Sequence, residues 1–120
     1  MLRTALHVYS SVDQLELQAR LLKLVVDSHG WILEDKLVSD TEYRLRFEVG
    51  LPDIADVYEA FHQAGLHCTP ASHRALTEMC VCQKHLPPGN EAHIVSIDLH
   101  VVTVAQESNR LQRLIRLSSA

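Results

Sequence analysis

Polar and apolar positions change period several times along this chain, and each change marks an element. Thr4 to Tyr9 is a short apolar run rich in β formers, which predicts a first strand. Leu15, Ala19, Leu22 and Val26 then recur at helical spacing, and Leu21 and Val25 widen the stripe. Asp13, Glu16, Gln18, Arg20 and Lys23 fall largely on the other side. Ser11 stands three residues before Gln14, the spacing of a reciprocal cap, so the helix is expected to start there and to close at Gly30.

Trp31 to Val38 and Tyr43 to Val49 predict two strands joined by the polar connection Ser39-Asp40-Thr41-Glu42. In the second of them Tyr43, Leu45, Phe47 and Val49 alternate with Arg44, Arg46 and Glu48, so one face is buried and the other meets water. Pro52 suits a first helical turn. Ile54, Val57, Tyr58, Phe61 and Ala64 form the stripe of a second helix, which Gly65 ends. Leu66 to Thr69 starts a fourth strand, which Pro70 interrupts.

Residues 71–85 fit two periods. Ala75, Leu76, Met79, Cys80 and Gln83 suit a helix, whereas Thr77, Val81 and the paired cysteines suit a strand. The strand is preferred, because His93 to Val104 offers it a partner. In that last strand Val95, Ile97, Leu99 and Val101 face one way, and Ser96, Asp98 and His100 the other. Leu86-Pro87-Pro88-Gly89-Asn90 is then the loop of an added hairpin. The last sixteen residues, with Leu111, Leu114, Ile115 and Leu117, predict a short amphipathic helix. The expected fold is α+β: a ferredoxin-like β-α-β-β-α-β core over residues 1–70, a β-hairpin over 71–104 and a helical tail over 105–120, all in one domain.

Composition narrows the function classes. A chain of 120 residues with 47% hydrophobic and 22% charged residues is globular and long enough for one core. A net charge of −4 opposes binding along a nucleic-acid backbone. Arg110, Arg113 and Arg116 stand against Glu107 alone in the tail, more simply a solvated helix face than a nucleic-acid patch. No signal peptide or membrane-spanning run is evident, and three cysteines cannot all pair within the chain, so a reduced cytoplasmic protein is expected.

Residues 4–69 resemble an ACT-like domain in element order, in helix lengths and in the Val8-Tyr9-Ser10-Ser11 passage from strand into helix. The resemblance implies a regulatory module that binds an amino acid or another small ligand at that passage, between neighbouring subunits. The family usually has a glycine near the start of the first helix, where this chain reads Val12-Asp13-Gln14-Leu15.

Three functions are therefore open. The first is a non-enzymatic, oligomeric ligand-sensing module with Ser10, Ser11 and Asp13 at a helix N-terminus, where amides favour a small anionic group. The second uses Cys80, Cys82 and His85 as a thiol or zinc site, since Cys-x-Cys places two thiols on one face of a strand. The third is a small enzyme with a cleft between hairpin and sheet. The apolar last strand, left at a sheet edge or open face, predicts assembly into a homodimer or larger homo-oligomer.

Overall fold

The computed structural model describes residues 2–84 and 93–104. Its elements run β1 (Leu2–Ser10), α1 (Gln14–Asp27), β2 (Trp31–Leu37), β3 (Glu42–Gly50), a 3-10 turn (Leu51–Asp53), α2 (Ile54–Gln63), β4 (His67–Cys68), α3 (Pro70–Lys84) and β5 (Ile94–Thr103). The architecture is α+β, with three helices and one five-stranded mixed sheet in the order β2-β3-β5-β1-β4. Among the described residues no helix is long and apolar enough to cross a membrane.

The expected β-α-β-β-α-β succession is present from β1 to β4. The added hairpin is not. Residues 70–84 are helical, because Thr69 and Pro70 build a helix start. The Thr69 hydroxyl accepts the Ser72 amide at 3.3 Å, and the His73 amide donates to the Thr69 carbonyl at 2.9 Å. Proline follows the cap, where it has no amide to lose. Ser72, Leu76 and Met79 then recur as one buried stripe, while Val81, which argued for a strand, is exposed. The prolines of the supposed hairpin loop and the expected tail helix lie outside the described residues.

The second correction concerns β5. It is neither an edge strand nor one arm of a hairpin, because it enters the middle of the sheet. It pairs in parallel with β1, from Leu2↔Val95 to Ser10↔Thr103, and antiparallel with β3, from Glu42↔Val102 to Gly50↔Ile94. Its alternation sends Val95, Ile97, Leu99 and Val101 into the core beside Leu6, Val8, Leu45 and Phe47. Leu17, Leu21, Val57, Phe61 and Leu76 close that core from the helices. Burying each such side chain contributes about 1.5–3 kcal/mol.

Edges are handled unequally. β4 covers only Val8 and Tyr9 of β1, but the start of α3 continues the cover. The His7 amide donates to the Ser72 hydroxyl at 2.7 Å, and the Thr69 amide to the His7 carbonyl at 3.2 Å. The opposite edge is β2, and no described strand pairs with its outer side.

Two smaller expectations also move. Helix α1 begins after Asp13 rather than Ser11, and the left-handed residue at its end is His29 (φ 60) rather than Gly30. Gly30 answers a different need, since a Cβ there would stand 2.6 Å from both the Glu48 carbonyl and the Val49 side chain.

Candidate functional site

The predicted ligand residues all lie at the β1–α1 junction, and the structure gives two of them local work. Ser10 is fully buried. Its hydroxyl donates to the Gly65 carbonyl at 2.7 Å and accepts the Val12 amide at 3.1 Å. It thereby ties the end of β1 to the turn after α2, where Gly65 adopts φ 91 and a Cβ would meet Val12 at 2.8 Å. Asp13 is the N-cap of α1, and its carboxylate accepts the amides of Leu15 and Glu16 at 3.2 and 3.4 Å. Ser11 lies between them, half-buried.

Around this junction the chain gathers other polar ends. The Gln14 side-chain amide donates to the carbonyls of Ser39 and Glu42 at 2.9 and 3.1 Å, which fixes the β2–β3 turn against α1. Gln14 is thus a clamp rather than half of a capping box. The Thr103 amide reaches the Thr41 carbonyl at 2.8 Å, and the Val104 amide the Ser10 carbonyl at 2.7 Å. Asp13, Glu16, Asp40 and Glu42 bring carboxylates to this end, and Arg20 is paired with Glu16 at 2.6 Å. A ligand that offers an ammonium meets matching charge here. One that offers a carboxylate must displace Asp13 from the first-turn amides.

The face of the sheet away from the helices forms a second polar region that sequence reasoning did not assemble. The Arg44 guanidinium grips Asp98 with two bonds, at 3.0 and 2.7 Å. Those bonds hold the Asp98 carboxyl below its ordinary 3.8, burial opposing and His100 and Arg46 assisting. His100 lies 3.5 Å from Asp98 and stacks on His7, ring centres 4.9 Å apart. Shallow depressions of about 330 and 210 Å³ lie here, the larger lined by Arg3, Arg44, Arg46, Ser96 and Asp98. Each strand's alternation announces an exposed polar face. What brings Arg44, His100 and His7 into one row, with Asp98 two residues along β5, is the place of β5 between β3 and β1, and alternation carries no information about neighbours.

The thiol cluster is not built on a strand. Positions 80 and 82 lie on α3, where residues two apart do not share a face, and His85 lies outside the described residues. Among the described residues no three His, Cys, Asp or Glu side chains are grouped to hold a metal ion. Cys68 is half-buried against the core, and that burial pushes its thiol up. Tyr58, hydrogen-bonded to His73, is raised by its own burial first and by Cys68 and Cys80 next. With α3 a helix, the cleft expected between hairpin and sheet has no hairpin to wall it.

Compared with models of known protein families, with curated proteins and with solved structures, the chain matches none.

Proposed function

We propose that this chain is a non-enzymatic, homo-oligomeric regulatory module of ferredoxin-like, ACT-like design that senses a small ligand. The observation that carries this proposal is the β2 edge. Trp31, Ile32, Leu33 and Leu37, with Val38 just beyond its end, are all exposed along a strand whose outer side meets no described element. An apolar strand with an unpaired ladder is a docking element, since water satisfies its backbone but gains nothing from its side chains.

The element order from β1 to β4 supports the ferredoxin-like assignment, with β5 inserted between the first and third strands. The ligand is placed at the polar end where β1, α1 and the β2–β3 turn meet. Asp13, Glu42 and Ser11 border that end, and its carboxylates favour an amine-bearing molecule such as an amino acid. Asp98 is fully engaged by Arg44, which leaves it a poor general base and supports a module without catalysis. A Cys68 thiol outside any disulfide suits a reducing, cytoplasmic setting.

Native mass spectrometry of protein purified without added metal or chelator tests the proposal. A metal-free dimer or larger ring, with or without a co-purified small molecule, is expected. A monomer carrying one metal per chain would overturn it and direct attention to Cys80, Cys82 and His85.

A further inference from the structure

Strand β2 carries a charged centre, Glu34-Asp35-Lys36, flanked by its exposed apolar residues. The Val38 amide donates to the Glu42 carbonyl at 2.9 Å, so by strand alternation the backbone groups of Lys36 point toward β3. Those of Asp35 and Leu37 point outward, ready to bond a further strand. The ladder slips between Ile32 and Glu34, so Glu34 to Leu37 is the regular stretch that can be extended.

We propose that the added strand is β2 of a second copy of this chain, antiparallel and related by a two-fold axis at Asp35. The proposal rests on the oligomeric function argued above and names its contact. Charge decides the register. Side chains opposite each other across an antiparallel pair share a face, so the axis must pass through a residue position. At Asp35 it sets Glu34 against Lys36 of the partner subunit and repeats the pair in reverse. At Lys36 it would set two lysines face to face, and at Glu34 two glutamates, with no opposite pair gained. The Asp35 register has one like pair, Asp35 with its own copy. Each of those carboxylates is drawn back within its own protomer, by the Tyr43 hydroxyl and by Gln18, whose amide lies 3.1 and 3.2 Å from its two oxygens.

Helix α1 supplies an independent observation. It packs over β2 and β3, and Gln18 reaches Asp35 on its β2 side. By helical spacing half-buried Leu22 follows Gln18 on that side, and Leu15 and Val26 lie further round, toward the outer surface. Leu15 and Val26 are each 66% exposed, far more than an amphipathic helix leaves on a face it has finished burying. Edge pairing about an axis normal to the sheet keeps both helix layers on one side and brings α1 beside its copy. With strands about 4.8 Å apart and each α1 set roughly half a strand back from the edge, the helices meet at roughly 10 Å, an ordinary packing distance.

The experiment is sedimentation equilibrium over a concentration series on the full chain, as the natural protein, Glu34→Lys, Lys36→Glu and the double swap. Far-UV circular dichroism checks that each variant is folded. A dimer is expected whose dissociation constant rises roughly tenfold in each single variant, because two attractive pairs become repulsive. The double swap restores it to within about threefold. A dimer indifferent to the single changes, or not restored by the double swap, overturns the register while the oligomeric function stands. A natural protein that stays monomeric throughout overturns both.

Discussion

Leu76 is the residue on which the place of α3 turns, and its truncation gives the sharpest stability test. The side chain is fully buried between α3 and the rest of the core, in one stripe with Ser72 and Met79. Leu76→Ala removes three carbons from a site with no solvent access. At about 0.8 kcal/mol per buried methylene the transfer loss is about 2.4 kcal/mol, and a partly relaxed cavity takes the total to about 3 kcal/mol, inside the range for such changes. At about 4–8 °C per kcal/mol for a domain near this size, the midpoint falls by at least about 12 °C. Val81→Ala is the control, because Val81 is exposed on the same helix and its truncation costs under about 0.5 kcal/mol. Urea unfolding followed by circular dichroism, with a common slope for all variants, reads both values. A Leu76→Ala protein within about 0.5 kcal/mol of the natural one would refute the packing of α3 against the sheet.

Four further outcomes follow from the same contacts. Ser10→Ala strands the Val12 amide and the Gly65 carbonyl and is expected to cost about 1–3 kcal/mol in urea unfolding; a neutral result would return Ser10 to a ligand role. Gly30→Ala, whose new Cβ would collide with backbone, should destabilise more than Gly50→Ala, whose Cβ meets only ordinary contacts from 3.5 Å outward; equal effects would contradict the close approach of Gly30 to β3. Asp98 contributes stability above its unfolded value near 3.8, which is lost as pH falls through its lower folded value, so Asp98→Asn should flatten the acid limb of the stability curve. An unchanged acid limb would exclude the Arg44 pair as its source. Cys68, its thiol raised by burial, should react with iodoacetamide more slowly than a free cysteine at pH 8, and equal rates would contradict its half-buried place.

Much of the fold was legible because faces are written in periodicity. The stripe of α2 and the alternation of β3 and β5 give the helix side and the open side of the sheet correctly. The α1 stripe does not: Leu15, Ala19 and Val26 are exposed and Leu22 only half-buried, while Leu17, Leu21, Leu24 and Val25 face the core. Two failures share a cause. The strand expected over residues 71–85 serves to give β5 a partner, yet β5 has two partners already, in β1 and β3. Period-two alternation specifies which face a strand buries and leaves its neighbours unstated. The local signal for α3 was present in Thr69-Pro70, a capping residue before a first-turn proline, and was spent on ending β4 instead.

The candidate site was half legible for the same reason. Ser10, Ser11 and Asp13 were placed correctly at the strand-to-helix passage, but the side chain that caps α1 is Asp13 and not Ser11. That exchange alters the chemistry, because a carboxylate fills the amides that were expected to receive an anionic ligand. The edge character of β2 could not be read at all, since Trp31, Ile32 and Leu33 look like core residues until the sheet order leaves them at its margin.

The most direct measurement is amide hydrogen exchange along β2 as protein concentration is raised through the assembly transition. The amides of Asp35 and Leu37, which point away from β3, should become protected in step with dimer formation, while that of Lys36, already bonded within the sheet, changes little. Free exchange of Asp35 and Leu37 at concentrations where the protein is fully dimeric would contradict assembly through this edge.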